Sequence, residues 1–204
     1  MSEIVPDDNQ PFTAALLQPL EIKTEEAHSE PAAQWQVVPL TKRPRMHQHI
    51  VGKLVHESLH RWRFGHRPDF KGWLEGHARR LGLVDRQEID TAIRRVRQLL
   101  TRLEASPHHA EWHQVEQRHH EIPFVLEDDF GIIDLIYLKQ GVWTVVDFKT
   151  DEVTAASVAA HIQEKEYDVQ IQRYGGVVQK LVGVRPKLKL CMLDCDAQVQ
   201  VIEI

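Results

Sequence analysis

Two aspartates sit where a chain like this should place only apolar strand residues. Asp134 interrupts GIIDLIYL (131–138) and Asp147 interrupts VWTVVDF (142–148). Both runs are rich in β-branched and aromatic residues, the composition of strands packed in a sheet. Only Lys139, Gln140 and Gly141 separate them, which is a hairpin signal. A carboxylate inside such a strand is costly unless it is paired or binds a cation. Two of them on adjacent strands can converge on one point. The fold must therefore hold a polar, charge-compensated centre within an apolar sheet. Hard oxygen donors suit Mg²⁺ or Mn²⁺. Lys149 lies two residues past Asp147, so on a strand it faces the same side. That spacing fits an ion-pair partner as well as a group that positions a water and stabilises charge on a phosphate.

Around the hairpin the pattern alternates between helix and strand. A helix is predicted over 48–64, with Val51, Leu54, Val55, Leu59 and Trp62 on one stripe. A second is predicted over 69–80 and a third over 86–104, with SPHH (106–109) ending the third. Residues 115–126 read as one or two strands, 155–182 as a helical segment, and 187–193 and 197–204 as the last strands. This order implies an α/β domain whose mixed sheet is flanked by helices. Residues 1–46, rich in Pro, Gln, Glu and Ala, read as an acidic N-terminal tail or linker, leaving 47–204 as the domain. Within the tail, FTAALLQPL is apolar enough to dock on the domain or a partner, and TKRPR (41–45) is basic.

Charge and cysteine usage narrow the classes. The net charge is −5 over 204 residues, which on its own disfavours a nucleic-acid partner. Residues 1–34 carry seven acids and one base, so the remainder is close to neutral at +1. No apolar run reaches the ~20 residues of a membrane span. MSEIVPDDNQ has neither the basic nor the apolar region of a secretory signal, so a cytoplasmic location is expected. Cys191 and Cys195, four apart on one strand, are expected on one face about 13 Å apart, too far for a disulfide. Two cysteines cannot build a four-cysteine metal site, so both are read as packing residues.

GIIDLIY followed by VVDFKTD resembles the core of the PD-(D/E)xK nuclease superfamily, in which an Asp precedes an Asp/Glu-x-Lys on the next strand. Tyr167-Asp-Val-Gln170-Ile-Gln172-Arg-Tyr174 resembles the Y-x-x-Q-[LI]-x-x-Y motif of RecB-type nucleases, which include the nuclease domains of RecB and AddA. GKLVHESLH resembles that family's G-x-x-x-H helix, with Gly52 and His56 in place, and HEIPF (120–124) its E-x-P-F strand. The resemblance runs over about residues 50–182 in the family's order. It implies a restriction-endonuclease-like fold and a metal-dependent DNA nuclease of recombination, repair or end processing, exonucleolytic by analogy. His56, Asp134 and Asp147 match the metal ligands, with the Phe148 carbonyl as a further one. Lys149 matches the catalytic lysine, and Gln170 and Tyr174 match the motif lining the site. Glu121 matches a position without an assigned chemical role. Two cysteines do not make the iron–sulfur set of some relatives, and the helicase that normally precedes such a domain is not expected on this chain. The implied partner is DNA, and the chain is expected either to stand alone as a nuclease or to work with a separate helicase.

Three competing features remain. His56-Glu57-Ser58-Leu59-His60 is a literal HExxH, the signature of zinc proteases, and His66 falls near their third ligand position. That reading leaves Asp134, Asp147 and Lys149 unexplained. Arg94, Arg95, Arg97 and Arg102 form a basic helix face that can contact DNA phosphates or simply be solvated. A catalytically dead nuclease fold used as a binding module is the third class, against which the intact Asp134, Asp147 and Lys149 argue. His108, His109, His113, His119 and His120 read as surface or capping residues.

Overall fold

The computed structural model describes residues 44–126 and 129–204. The predicted tail, with its apolar FTAALLQPL piece, lies outside them apart from its last three residues. Four helices come first: α1 (Pro44–His60), α2 (Phe70–Arg80), α3 (Arg86–Glu104) and α4 (Pro107–His113). Strands β1 (Gln117–Leu126), β2 (Asp129–Lys139) and β3 (Val142–Val153) follow, then α5 (Val158–Glu164), α6 (Tyr167–Val182), β4 (Lys187–Cys195) and β5 (Gln198–Glu203). The sheet runs in the order β1-β2-β3-β4-β5. Only β3 and β4 pair in parallel, across the α5–α6 crossover, so the sheet is mixed as expected.

Two apolar layers hold the sheet between helices. Leu54, Val55, Leu74, Ile89, Val96, Leu100 and Trp112 pack with Leu135, Val146 and Phe148 on one face. Val158, Ile162, Ile171 and Val178 pack with Ile133, Val145, Leu188 and Leu190 on the other. Helix α3 matches its predicted span, because Ile89, Ile93, Val96, Leu99, Leu100 and Leu103 form one buried stripe and the Asp85 side chain caps Glu88 N. Gly175 brings α6 onto β4, since a Cβ there would lie 2.7 Å from Leu188 Cδ2.

Four local expectations need correction. Helix α1 stops at His60 rather than 64, with Trp62 left-handed at φ 47°. SPHH does not merely end α3: Ser106 accepts from His109 N and Pro107 occupies the first turn, so a new helix begins. The 155–182 segment is two helices, broken where Glu166 takes φ 55°. Cys191 and Cys195 lie in opposite apolar layers, not on one face. A register shift between Met192 and Cys195 inserts one residue and reverses the alternation. Both cysteines are free and buried.

Candidate metal centre and catalytic cleft

The β2–β3 turn is two residues, Gln140 (φ 50°) and Gly141 (φ 74°), the left-handed pair that a tight hairpin uses. Its ladder runs from Lys139↔Val142 to Leu135↔Val146 and ends there. Asp134 and Asp147 are therefore the first residues beyond the pairing, where the strands part. In place of a ladder bond, the Phe148 N–H donates to Asp134 Oδ2 at 2.7 Å. The gap that opens is where chemistry can be placed.

On the α1 side of the gap, His56 Nδ1 lies 3.0 Å from Asp134 Oδ1 and 3.7 Å from a Glu121 oxygen. Glu121 faces Asp134 across the β1–β2 ladder, between the pairs His120↔Leu135 and Ile122↔Ile133. Its φ of 48° is a left-handed conformation that a side chain with a Cβ adopts only when its surroundings enforce it. One donor atom each from His56, Glu121 and Asp134 lies within 4.8 Å of the others, the metal-ligating type of cluster found among the described residues. Gly52, one turn earlier on α1, lets the helix cross close to Thr150 of β3, whose Oγ1 would stand 3.4 Å from a Cβ there.

On the α6 side, Lys149 Nζ sits 2.7 Å from Asp147 Oδ2 and donates to Gln170 Oε1 at 2.7 Å. The Gln170 amide then donates to Tyr174 Oη at 2.8 Å. These two residues, four apart, share the inner face of α6. The Tyr167 ring lies 4.1 Å from Lys149 Nζ, and its hydroxyl donates to Asp151 Oδ2 at 2.7 Å. The lysine is thus held by a carboxylate, an amide and an aromatic face at once.

The electrostatics are those of crowded carboxylates. Burial and the neighbouring Asp134 push Asp147 up to about 7, against the pull of Lys149. Burial alone would lower His56, but Asp134 and Glu121 outweigh it and raise it to about 10. Asp147 Oδ2 is buried and close to Lys149, yet no donor meets it with hydrogen-bond geometry. One imidazole nitrogen, several carboxylate oxygens and an under-satisfied buried oxygen fit a hard divalent cation. A cleft of about 1000 Å³ opens beside this centre, and Lys53, His56, Arg95, Lys149, Lys165 and Gln170 line part of it.

The structure brings together His56, Asp134, Asp147, Lys149, Gln170 and Tyr174, with the buried Phe148 in the same strand. It separates the arginines of α3. Arg95 lines the cleft and, with Arg102, grips the buried Asp194 of β4. Arg94 and Arg97 are exposed. The zinc-protease pattern is not assembled: Glu57 pairs with Arg61 at 2.9 Å, and His66 pairs with Glu104 at 3.0 Å. His60 is not in the metal-ligating cluster. Glu121 carries no role legible in the sequence, because a left-handed residue in the polar stretch RHHE has no periodic signature. Tyr167 and Asp151 were likewise unassigned, since their contacts with Lys149 and with each other cross between elements.

The sequence profile of a family described as the PD-(D/E)XK nuclease superfamily matches residues 31–199. Among curated proteins none matches the chain. Among solved structures, a provisionally named exonuclease from Eubacterium rectale is similar at 13% identity and a TM-score of 0.48, covering 83% of this chain and 61% of its own. Protein VC1899 from Vibrio cholerae is similar at 8% identity and a TM-score of 0.31, covering 74% of this chain and 48% of its own. The chain thus spans about 61% of the length of the first. No described helix is long and apolar enough to cross a membrane.

Proposed function

The chain belongs to the PD-(D/E)XK nuclease superfamily, and from that premise we propose that it is a Mg²⁺- or Mn²⁺-dependent deoxyribonuclease of the RecB/AddA type. The observation that carries the reading is the parted hairpin, with His56, Glu121 and Asp134 gathered on one side and Asp147 with Lys149 on the other.

In this reading His56, Glu121, Asp134 and Asp147 hold the cation, with the Phe148 carbonyl as a further ligand. Glu121 joins the set on geometry alone. A divalent cation held by these residues would supply a more acidic water and neutralise charge on the scissile phosphate. Lys149 would orient the attacking water and lend its positive charge to the phosphate oxygens that become more negative in the transition state. Gln170 keeps the ammonium pointed at the site, and Tyr174 keeps Gln170 in place. Exonucleolytic action in recombination, repair or end processing, beside a separate helicase, is the cellular role we propose.

The test is cleavage of labelled DNA by the purified chain with and without Mg²⁺ or Mn²⁺. Asp134→Ala, Asp147→Ala and His56→Ala are each expected to abolish metal-dependent cleavage while leaving the fold intact. Full cleavage by the Asp147→Ala protein would sink the assignment.

A further inference from the structure

The β1–β2 ribbon continues past the point where β2 and β3 part. Its register is regular there: Ile122↔Ile133, Pro123↔Ile132, Phe124↔Gly131 and Val125↔Phe130. Strand alternation divides these pairs between two faces. Phe124 and Ile133 are buried in the layer beneath α6. A Cβ on Gly131 would meet the Phe124 ring at 2.9 Å and Arg173 at 3.1 Å, so that position faces α6 as well. Pro123, Val125, Phe130 and Ile132 therefore occupy the other face, the one on which Glu121 and Asp134 meet His56.

That face is bare. Phe130 is 75% exposed, Val125 64% and Ile132 50%. Single exposed apolar residues need no explanation, but a cross-strand cluster of this kind marks a contact surface. Its position decides what it contacts. Ile132 and Phe130 lie two and four residues from Asp134, so about 7 Å and 13 Å along the strand. The row of apolar pairs ends on the Glu121–Asp134 pair itself. Lys53, at the other edge of His56, lines the clefts on either side of it. A phosphate held at Asp134 would leave its neighbouring nucleosides over the apolar pairs, with cationic side chains left for the backbone. An aromatic ring beside aliphatic side chains stacks on nucleobase faces whatever the base, provided the base is unpaired.

We propose that Phe130, Ile132, Val125 and Pro123 form a base-contacting platform that receives unpaired nucleobases next to the metal centre. This rests on the nuclease reading for the identity of the ligand as nucleic acid. It adds a surface that selects strands whose bases are free to stack, and hence a contact energy independent of the phosphates.

The experiment is a fluorescence-anisotropy titration with Ca²⁺ replacing Mg²⁺. The probes are a labelled oligothymidylate, an abasic oligomer of equal length and a blunt duplex. Phe130→Ala/Ile132→Ala removes two exposed side chains, so folding, checked by circular dichroism, is expected to be unchanged. The double variant should bind oligothymidylate about tenfold more weakly, as loss of one stacked base predicts. Its affinity for the abasic oligomer and the duplex should be unchanged, and Phe130→Trp should restore or tighten thymidylate binding. Equal loss on all three probes, no loss on any, or no preference of the parent protein for thymidylate over the abasic oligomer would overturn the platform. A change in oligomeric state without a change in thymidylate affinity would overturn it too, assigning the surface to protein contact. Metal-dependent cleavage by the parent protein is scored separately. Cleavage with no Phe130 effect removes the platform and keeps the nuclease; a Phe130 effect with no cleavage does the reverse.

Discussion

In the proposed reading Lys149 carries the chemistry, and its three contacts predict separable effects. Lys149→Ala should lose 10²–10³ in single-turnover rate at saturating metal, as loss of a positioned charge-stabilising group does. Calorimetric metal affinity should be kept. A near-normal rate would make Lys149 only an ion-pair partner for Asp147. Tyr167→Phe keeps the ring over Lys149 and loses the bond to Asp151, whereas Tyr167→Leu loses both. The Leu variant should therefore turn over about tenfold more slowly than the Phe variant, the worth of a partly desolvated cation–π contact. Equal rates would leave the ring without a part in positioning. Asp147 and His56 give the metal-free protein a pH dependence of one sign. The folded state holds Asp147's proton up to about 7, against an ordinary value of 3.8, so its ionisation destabilises the fold as pH rises through that window. His56, raised from 6.5 to about 10, contributes stability that is full below 6.5 and lost as pH rises towards 10. Without metal, the melting temperature should fall from pH 7 to pH 10; at lower pH His120, which burial holds at about 3 against an ordinary 6.5, opposes Asp147. Relative to the parent, Asp147→Asn should gain on the order of 2 kcal/mol at pH 8 and nothing below pH 4. Added Mg²⁺ should stabilise the parent increasingly as pH rises, because the cation replaces those protons. Parallel melting curves for parent and Asp147→Asn across this range would contradict the crowded-carboxylate account.

Helix α3 shows how an element divides its charges between fold and function. Asp194 is only 2% exposed on β4, and its two oxygens accept from Arg95 and Arg102 of α3. Asp194→Ala would strand two guanidinium groups against the sheet, and breaking such a pair costs ~3 kcal/mol or more. Urea unfolding should show that loss, whereas Arg94→Ala, on an exposed position, should change the midpoint little. A small effect for Asp194→Ala would mean that the α3–β4 contact is apolar in its energetics. The sequence made α3 legible because its apolar stripe repeats with the helical period, but the destination of each arginine depends on a β4 carboxylate some ninety positions away. Asp134, Asp147 and Lys149 were legible because a charge in an apolar strand violates the local pattern. Glu121 was not, because its distinguishing feature is a backbone dihedral, and neither was the break at Glu166, which lies between two segments that each read as helix. The side-chain alternation of β4 failed at Cys195 because a one-residue bulge is invisible to a period of two.

At the scale of the whole molecule, charge is distributed against long-range attraction and for local capture. The net charge of −5 offers DNA no global steering. In the proposed reading the phosphate backbone runs in the cleft, where Lys53, Arg95 and Lys165 stand with Lys149 near Asp151 and Glu152. Arg95 is largely committed to Asp194 and cannot be removed without disturbing the fold. The phosphate path therefore predicts a particular pair of residues. Lys53→Ala/Lys165→Ala should weaken oligonucleotide binding in Ca²⁺. It should also flatten the plot of log affinity against log salt by about 0.7 per lost contact on a single strand. Arg94→Ala/Arg97→Ala, exposed on α3 and outside the cleft lining, should leave the slope as it was. Because each pair removes two positive charges, the change in net charge is the same, and a difference in slope reports location alone. If the two pairs flatten the slope equally, the response is to overall charge and the cleft has no privileged role. If only the arginine pair does so, the backbone runs along α3, and the cleft beside the metal centre is left to the scissile nucleotide.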